Sequence, residues 1–245
     1  MTDDKTYFAD FMKVYETLEF WAPSSEADTK KAFFLLPQSP TKILEIGCGK
    51  GLATKILAEN SGAHITALDN EESALERLRE RFQNLGLSDR LTTINANMSD
   101  LPSGDDSFDL IWSEGSAYII GVEKALKEWM PLLRDNGFLV ISDLVWHIND
   151  KSADATHFWQ QEYPDMQNVE TRIKQISKAG YSIIDHFPLS NAAWHSYYDP
   201  LRERVLALEP EMPNSKAIKD IKREVEISTR YTHEFGYHFF IMKKE

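Results

Sequence analysis

Cysteine is nearly absent: Cys48 is the only one in 245 residues. An internal disulfide and a thiolate metal cluster within one chain are therefore excluded, and a reducing cytoplasm is the expected compartment. Long apolar runs are missing too. Nothing approaches the roughly 20 residues that cross a bilayer, so no membrane insertion is expected. The opening MTDDKTYFADF lacks a basic segment followed by an apolar one, and no signal peptide is expected. Runs of positive charge are scarce as well. Acidic residues outnumber basic ones 39 to 27, and no Lys/Arg-rich stretch offers a face for phosphates. That composition argues against nucleic acid and anionic lipid as partners.

What is abundant is aromatic area. Six Trp, nine Tyr and thirteen Phe supply both a core and the walls of a pocket. The length fits a single domain over 1–245, with no internal repeat or low-complexity segment. Phe8, Phe11, Met12, Tyr15 and Leu18 recur at helical steps and predict a helix over 7–20, with a second helix over 26–36. These form an N-terminal helical cap, residues 1–40, closed by Pro37 and Pro40.

From Lys42 onward, strand and helix patterns alternate. Strands are expected at 42–46, 63–69, 91–96, 108–113 and 138–143, with helices at 52–60, 71–85 and 122–130 between them. The segment 144–167 carries no element in this reading. A helix at 168–179 and strands at 181–187 and 237–243 follow, the last two separated by a helical insertion or lid at 188–235. Strands separated by helices imply an α/β, Rossmann-like fold. The expectation is a seven-stranded, mostly parallel sheet with helices on both faces and a cofactor core at 41–145. The final strand is expected to pair antiparallel at one edge.

Strand 1 runs into a glycine loop, 43-ILEIGCGKG-51. In open α/β sheets ligands sit beyond the carboxyl ends of the strands, beside strand 1. Leu52 stands where the dinucleotide fingerprint needs its third glycine, and Lys50 is followed by Gly51 and Leu52 rather than by the hydroxyl of a P-loop. Both phosphate readings fail. Glu45, two residues before the first glycine, would repel a phosphate and favour a cation. Asp69 ends strand 2 and is placed to accept ribose hydroxyls, with capping of the next helix as the competing role. Ribose and positive charge together describe S-adenosylmethionine.

The motifs 45-EIGCGKG-51, 67-ALD-69, 96-ANMSDLP-102 and 106-DSFDLIWS-113 make this sequence similar to the class I S-adenosylmethionine-dependent methyltransferases. The likeness extends through 112-WSEGSAYIIGVEKALKEW-129, 146-WH-147, 178-KAGY-181 and 194-WHSYYDPL-201, which resemble small bacterial methyltransferases grouped near the ubiquinone and menaquinone C-methyltransferases. The resemblance implies backbone contact from Gly47, Cys48 and Gly49 to the methionine part, and Asp69 on the ribose with Asn70 and Glu71 beside it. It also implies Asn97 and Met98 at the adenine, and Ser113 and Glu114 facing the methionine end. Asn97 replaces an Asp common in relatives, and its amide oxygen can accept the same bond.

Methyl transfer from a sulfonium needs alignment of the acceptor and exclusion of water, so no metal is expected. Tyr118 and His147, on loops after strands 4 and 5, are the candidates for a general base, with packing and a structural histidine as competing roles. Trp146, Trp194, Tyr197 and Tyr198 are the aromatic candidates for an acceptor pocket or a lid, although 194–198 reads somewhat better as core of the insertion than as pocket. Strand 4 lacks the Pro-Pro-aromatic sequence of nucleic-acid amine methylation, and no Pro-Cys nucleophile exists. The implied activity is methylation of a small molecule, with S-adenosyl-L-homocysteine as product, by a monomer or homodimer. A nucleotide-cofactor oxidoreductase and a non-catalytic binding module are the alternatives.

Overall fold

The computed structural model describes residues 2–101 and 108–245; Pro102 and Asp106–Ser107, parts of two motifs named above, lie outside them. The chain begins with α1 (Thr2–Tyr15) and α2 (Glu26–Phe34). Alternation then gives β1 (Lys42–Ile46), α3 (Leu52–Asn60), β2 (His64–Asp69), α4 (Glu72–Asn84), β3 (Leu91–Asn95), β4 (Phe108–Glu114), α5 (Val122–Trp129) and β5 (Leu133–Trp146). The remainder comprises α6 (Ala153–Glu162), α7 (Val169–Lys178), β6 (Tyr181–Pro188), α8 (Asn191–Leu208), α9 (Lys216–Arg230) and β7 (Phe235–Lys244).

The seven strands lie in the order β3-β2-β1-β4-β5-β7-β6. Pairings from β3 to β5 are parallel, and β7 runs antiparallel to both its neighbours. Side-chain alternation along each strand feeds two cores. Ile43, Ile65, Leu110 and Val140 meet Leu57 of α3 and Leu78 and Phe82 of α4 on one face. Leu44, Ile111 and Ile141 meet Leu126 and Trp129 of α5 and Ile176 of α7 on the other. Each such side chain stabilises the fold by about 1.5–3 kcal/mol relative to exposure.

Four expectations need correction. First, β7 is not an edge strand; it lies between β5 and β6. Phe239, Phe240, Ile241 and Met242 are consecutive and all fully buried, so both faces of the strand are covered. Second, β5 runs well beyond 138–143. Its expected turn at Asp135–Gly137 is a bulge, where pairing jumps from Phe108–Leu133 to Leu110–Phe138 and Asn136 adopts φ 60°. Third, α6 fills the unassigned stretch, with Ala155, Phe158 and Trp159 inward. Fourth, α1 stops at Tyr15 rather than at 20, because the Lys50 ammonium takes the carbonyl oxygens of Glu16 (2.9 Å) and Leu18 and reaches Tyr15 O at 3.5 Å.

The two ends of the insertion and the N-terminal helix make one cap. Val14, Tyr15 and Leu18 pack on Tyr197, Leu201 and Val205 of α8 and on Ile218, Ile221 and Val225 of α9. Among the described residues, no helix is long and apolar enough to cross a membrane.

A buried polar network fastens α6 and α7 to β5. Arg172 and Asp143 are 0% and 1% exposed, joined Nε to Oδ2 at 2.9 Å. The Tyr163 hydroxyl donates to Asp143 Oδ1 and accepts from Arg172 Nη2, both at 2.9 Å. Removing one partner strands the other charge in the core. Arg172→Met should lower the unfolding free energy by about 3–5 kcal/mol in urea titration, and a second substitution, Asp143→Leu, should recover part of that loss.

Candidate functional site

A cavity of about 490 Å³ lies between the carboxyl ends of the central strands and the helical cap. Its floor is the end of β1 with the glycine loop, Asp69 of β2, the segment after β3, and Glu114 to Ser116 after β4. Its roof comes from α1, α6, α8 and α9. The site sits where β1 leaves neighbours on both sides, which is where an open sheet forms its crevice.

The glycine loop is bent tightly against its surroundings. Gly47 has φ +73°, and a Cβ there would stand 2.4 Å from Ser116 Oγ, so only glycine fits. The loop N–H groups are engaged inside the protein. Those of Gly47 and Cys48 donate to Leu68 O at 2.8 and 3.1 Å, and that of Gly49 donates to Asp69 Oδ2 at 2.7 Å. The loop therefore holds its own donors rather than forming the anion nest of a phosphate site. Gly47, Cys48 and Gly49 do line the cavity, as expected, but they offer a close surface and not these N–H donors. Burial pushes the Cys48 thiol well above its usual range, so it is an inert part of the wall.

Glu45 lines the same space at 3% exposure, and its Oε2 has no hydrogen-bond partner. Burial first, opposed by neighbouring Thr54 and reinforced by Glu114 and Asp69, pushes its carboxyl up to about 8. The loop lysine does not compensate it, because the Lys50 ammonium is turned onto the end of α1.

Asp69 is not the cap of α4; Glu71 takes that role by accepting from the Ser73 N–H at 3.3 Å. The Asp69 carboxylate instead orders the floor, one oxygen on Gly49 N–H and the other on Glu71 N–H at 3.0 Å. Burial raises its proton affinity. Each oxygen keeps a further lone pair for a ligand hydroxyl. Asn70, Glu71, Asn97 and Met98 also reach the cavity. The Asn97 amide oxygen accepts from Ser99 N–H at 2.9 Å.

Beyond strand 4 the candidates separate. Glu114 is in the wall and holds the cap down, accepting from Ser24 Oγ (2.6 Å), Thr29 Oγ1 (2.9 Å) and Trp112 Nε1 (2.9 Å). Ser113 does not reach the cavity; it is fully buried, its hydroxyl 2.6 Å from that of Ser116. Tyr118 does reach it, its ring centroid 5.3 Å from that of Tyr163. His147 does not line it. It turns onto β7, its ring against Gly236 and 6.3 Å from the His238 ring. Tyr197 and Tyr198 are in the wall, whereas Trp146 packs on Phe235 and Trp194 donates to Ser228 O at 3.3 Å.

Sequence reasoning missed several wall residues. Lys50 was hidden inside the glycine motif, Tyr163 follows the unassigned helix, and Glu224 reads as an outward acid of an amphipathic helix. Its position about two and a half turns along α9 from a clear Ser215 N-cap was the available signal. Among the described residues, no group of three or more His, Cys, Asp or Glu could hold a metal ion.

A family model described as a methyltransferase domain matches residues 43–137. The demethylmenaquinone methyltransferase of Clavibacter sepedonicus is 36% identical over 108 residues, 44% of this chain and 42% of that protein. Methyltransferase GfsG of Streptomyces halstedii is 35% identical over 105 residues, 42% of this chain and 38% of that protein. The chain thus spans less than half the length of these curated relatives. A methyltransferase from Geobacter sulfurreducens, solved with S-adenosyl-L-homocysteine, shares the fold across 96% of this chain and 97% of its own, at TM-score 0.82 and 18% identity. Residues 43–137 thus match a methyltransferase domain, and the sheet that carries the glycine loop has the fold of a solved methyltransferase that holds S-adenosyl-L-homocysteine.

Proposed function

We propose that this chain transfers the methyl group of S-adenosylmethionine to a small-molecule acceptor. One observation carries the reading: the Glu45 carboxylate is buried, without a counter-charge among the described residues, and lines the cavity at the end of β1. Such a group is costly unless a cation meets it. A ligand bearing an ammonium and a sulfonium fits that need, and a pyrophosphate does not. Glu45 with the 47–49 loop would hold the methionine part, Asp69 with Asn70 and Glu71 the ribose, and Asn97 and Met98 the adenine. The bound cofactor supplies a methyl group already activated on sulfur.

The protein's own contribution is then alignment and exclusion of water. The roof covers the cavity with aromatic side chains of α1, α6 and α8, which supports the second role. Residues 188–235 act as the lid of this arrangement. Tyr118 is the remaining candidate to accept a proton or orient the acceptor. Burial and the Glu224 and Asp143 charges hold its phenol up at about 12, so it acts as a hydrogen-bond donor at neutral pH.

Asp69→Ala should weaken S-adenosylhomocysteine binding by about 1.5–3 kcal/mol in calorimetric titration, the worth of hydrogen bonds to a charged group. Binding of NAD alone, with no affinity for S-adenosylhomocysteine, would overturn the reading. A pH series tests Glu45. Its raised proton affinity means that a cationic ligand must displace a proton, so affinity should rise with pH and level off above about 8. Glu45→Gln should flatten that rise. His147→Ala should leave both ligand affinity and radiolabelled methyl transfer to a metabolite extract unchanged, while Tyr118→Phe lowers transfer.

A further inference from the structure

The charge of the cavity wall is one-sided. Among the described residues, seven Asp and Glu side chains line it, against one basic residue, Lys50, whose ammonium faces backbone carbonyls. Glu45, Asp69 and Glu114 stand at the glycine-loop end. Glu224 of α9 stands under the helical cap, where the Tyr198 hydroxyl donates to its Oε1 at 2.9 Å.

The Glu224 charge raises the phenols of six tyrosines, Tyr7 and five that line the cavity: Tyr15, Tyr118, Tyr197, Tyr198 and Tyr237. Tyr15, Tyr197 and Tyr198 are packed on each other, with the Tyr15 and Tyr197 hydroxyls 2.9 Å apart and the Tyr197 and Tyr198 rings 4.8 Å apart, while the Tyr118 ring lies 5.3 Å from that of Tyr163. The combination is an aromatic box around one carboxylate, and the influences on Glu224 come from Tyr198 and Glu162 without any basic side chain.

Building on the methyltransferase reading, we propose that this compartment takes an organic ammonium, an amine-bearing acceptor seated on the tyrosine faces with Glu224 as its counter-charge. Aromatic faces attract cations through their ring quadrupoles, and more strongly once water is excluded. An anionic acceptor would meet only repulsion from Glu224 and Glu162. An uncharged one would leave the half-buried Glu224 beside the Tyr198 phenol with no charge to balance it. Burial above all, with Glu162 adding and Tyr198 opposing, pushes Glu224 up to about 7, and a bound ammonium is the partner that would restore its ionised form. The unpartnered Oε2 of Glu45 at the other end of the same cavity shows the same preference for positive charge.

The test is calorimetric titration of the full chain with benzylammonium, benzyl alcohol and benzoate, three probes of one ring and three charges, with and without S-adenosylhomocysteine. Benzylammonium should bind about tenfold tighter than the alcohol, and benzoate should not bind. Glu224→Gln should bring ammonium and alcohol to near equality and leave S-adenosylhomocysteine affinity as it was. Equal or tighter binding of the alcohol by the native chain, binding of benzoate, or no binding of benzylammonium overturns the proposal. So does a folded Glu224→Gln chain that keeps the preference. The native comparison needs no variant, so a variant that fails to fold does not shield the idea. Loss of S-adenosylhomocysteine binding alongside an intact ammonium preference would overturn the methyltransferase reading and uphold the ammonium site.

Discussion

The side chain of Lys50 turns away from the cavity and onto the carbonyl oxygens at the end of α1, and much of the site follows from that choice. It ends the first helix at Tyr15 and brings Trp21 to the mouth of the glycine loop, the ammonium 5.5 Å from the Trp21 ring. Engagement with carbonyls also removes the one loop cation that could have neutralised Glu45. Partial burial, the first cause, with Arg77 and Arg81 also opposing its charge, lowers the Lys50 proton affinity to about 8. The same contact thus fixes the cap in place and leaves the floor of the cavity electrically unbalanced.

The cap depends on a second fastening of the opposite sign. Glu114, at the end of β4, receives hydroxyls from Ser24 and from Thr29 of α2. Asp28 continues the chain of contacts by accepting from the N–H and hydroxyl of Ser190, which begins α8. Sheet, N-terminal helices and insertion are therefore joined through carboxylates that accept from small hydroxyl residues. Burial raises the proton affinity of Glu114, and the three donors oppose that shift by favouring the ionised form.

Much of the architecture was legible in the sequence because strand and helix periods differ and glycines mark the turns. The glycine loop, Glu45 and Asp69 were readable for the same reason: their chemistry is local to a strand end. What escaped reading is what distant segments make together. The place of β7 inside the sheet was written in Phe239–Met242, whose unbroken apolar run demands cover on both faces. His147 and Trp146 follow strand 5 closely, yet the extra length of β5 and its pairing with β7 carry them past the cavity rather than into it. Tyr163 and Glu224 come from helices that no local motif connects to the glycine loop.

The interior position of β7 has a consequence for assembly. Among the described residues, strand β6 pairs only with β7, and β7 is synthesised after β6 and after the α8 and α9 segment. Until β7 emerges, β6 has no partner, and the antiparallel edge of β5 from Phe138 to Trp146 stays open. A nascent chain therefore carries the material of its own roof before the floor is closed. An exposed strand edge of that length is a template for pairing with another chain. Docking of β7, Phe235–Lys244, closes the β5 edge and gives β6 its partner in one step.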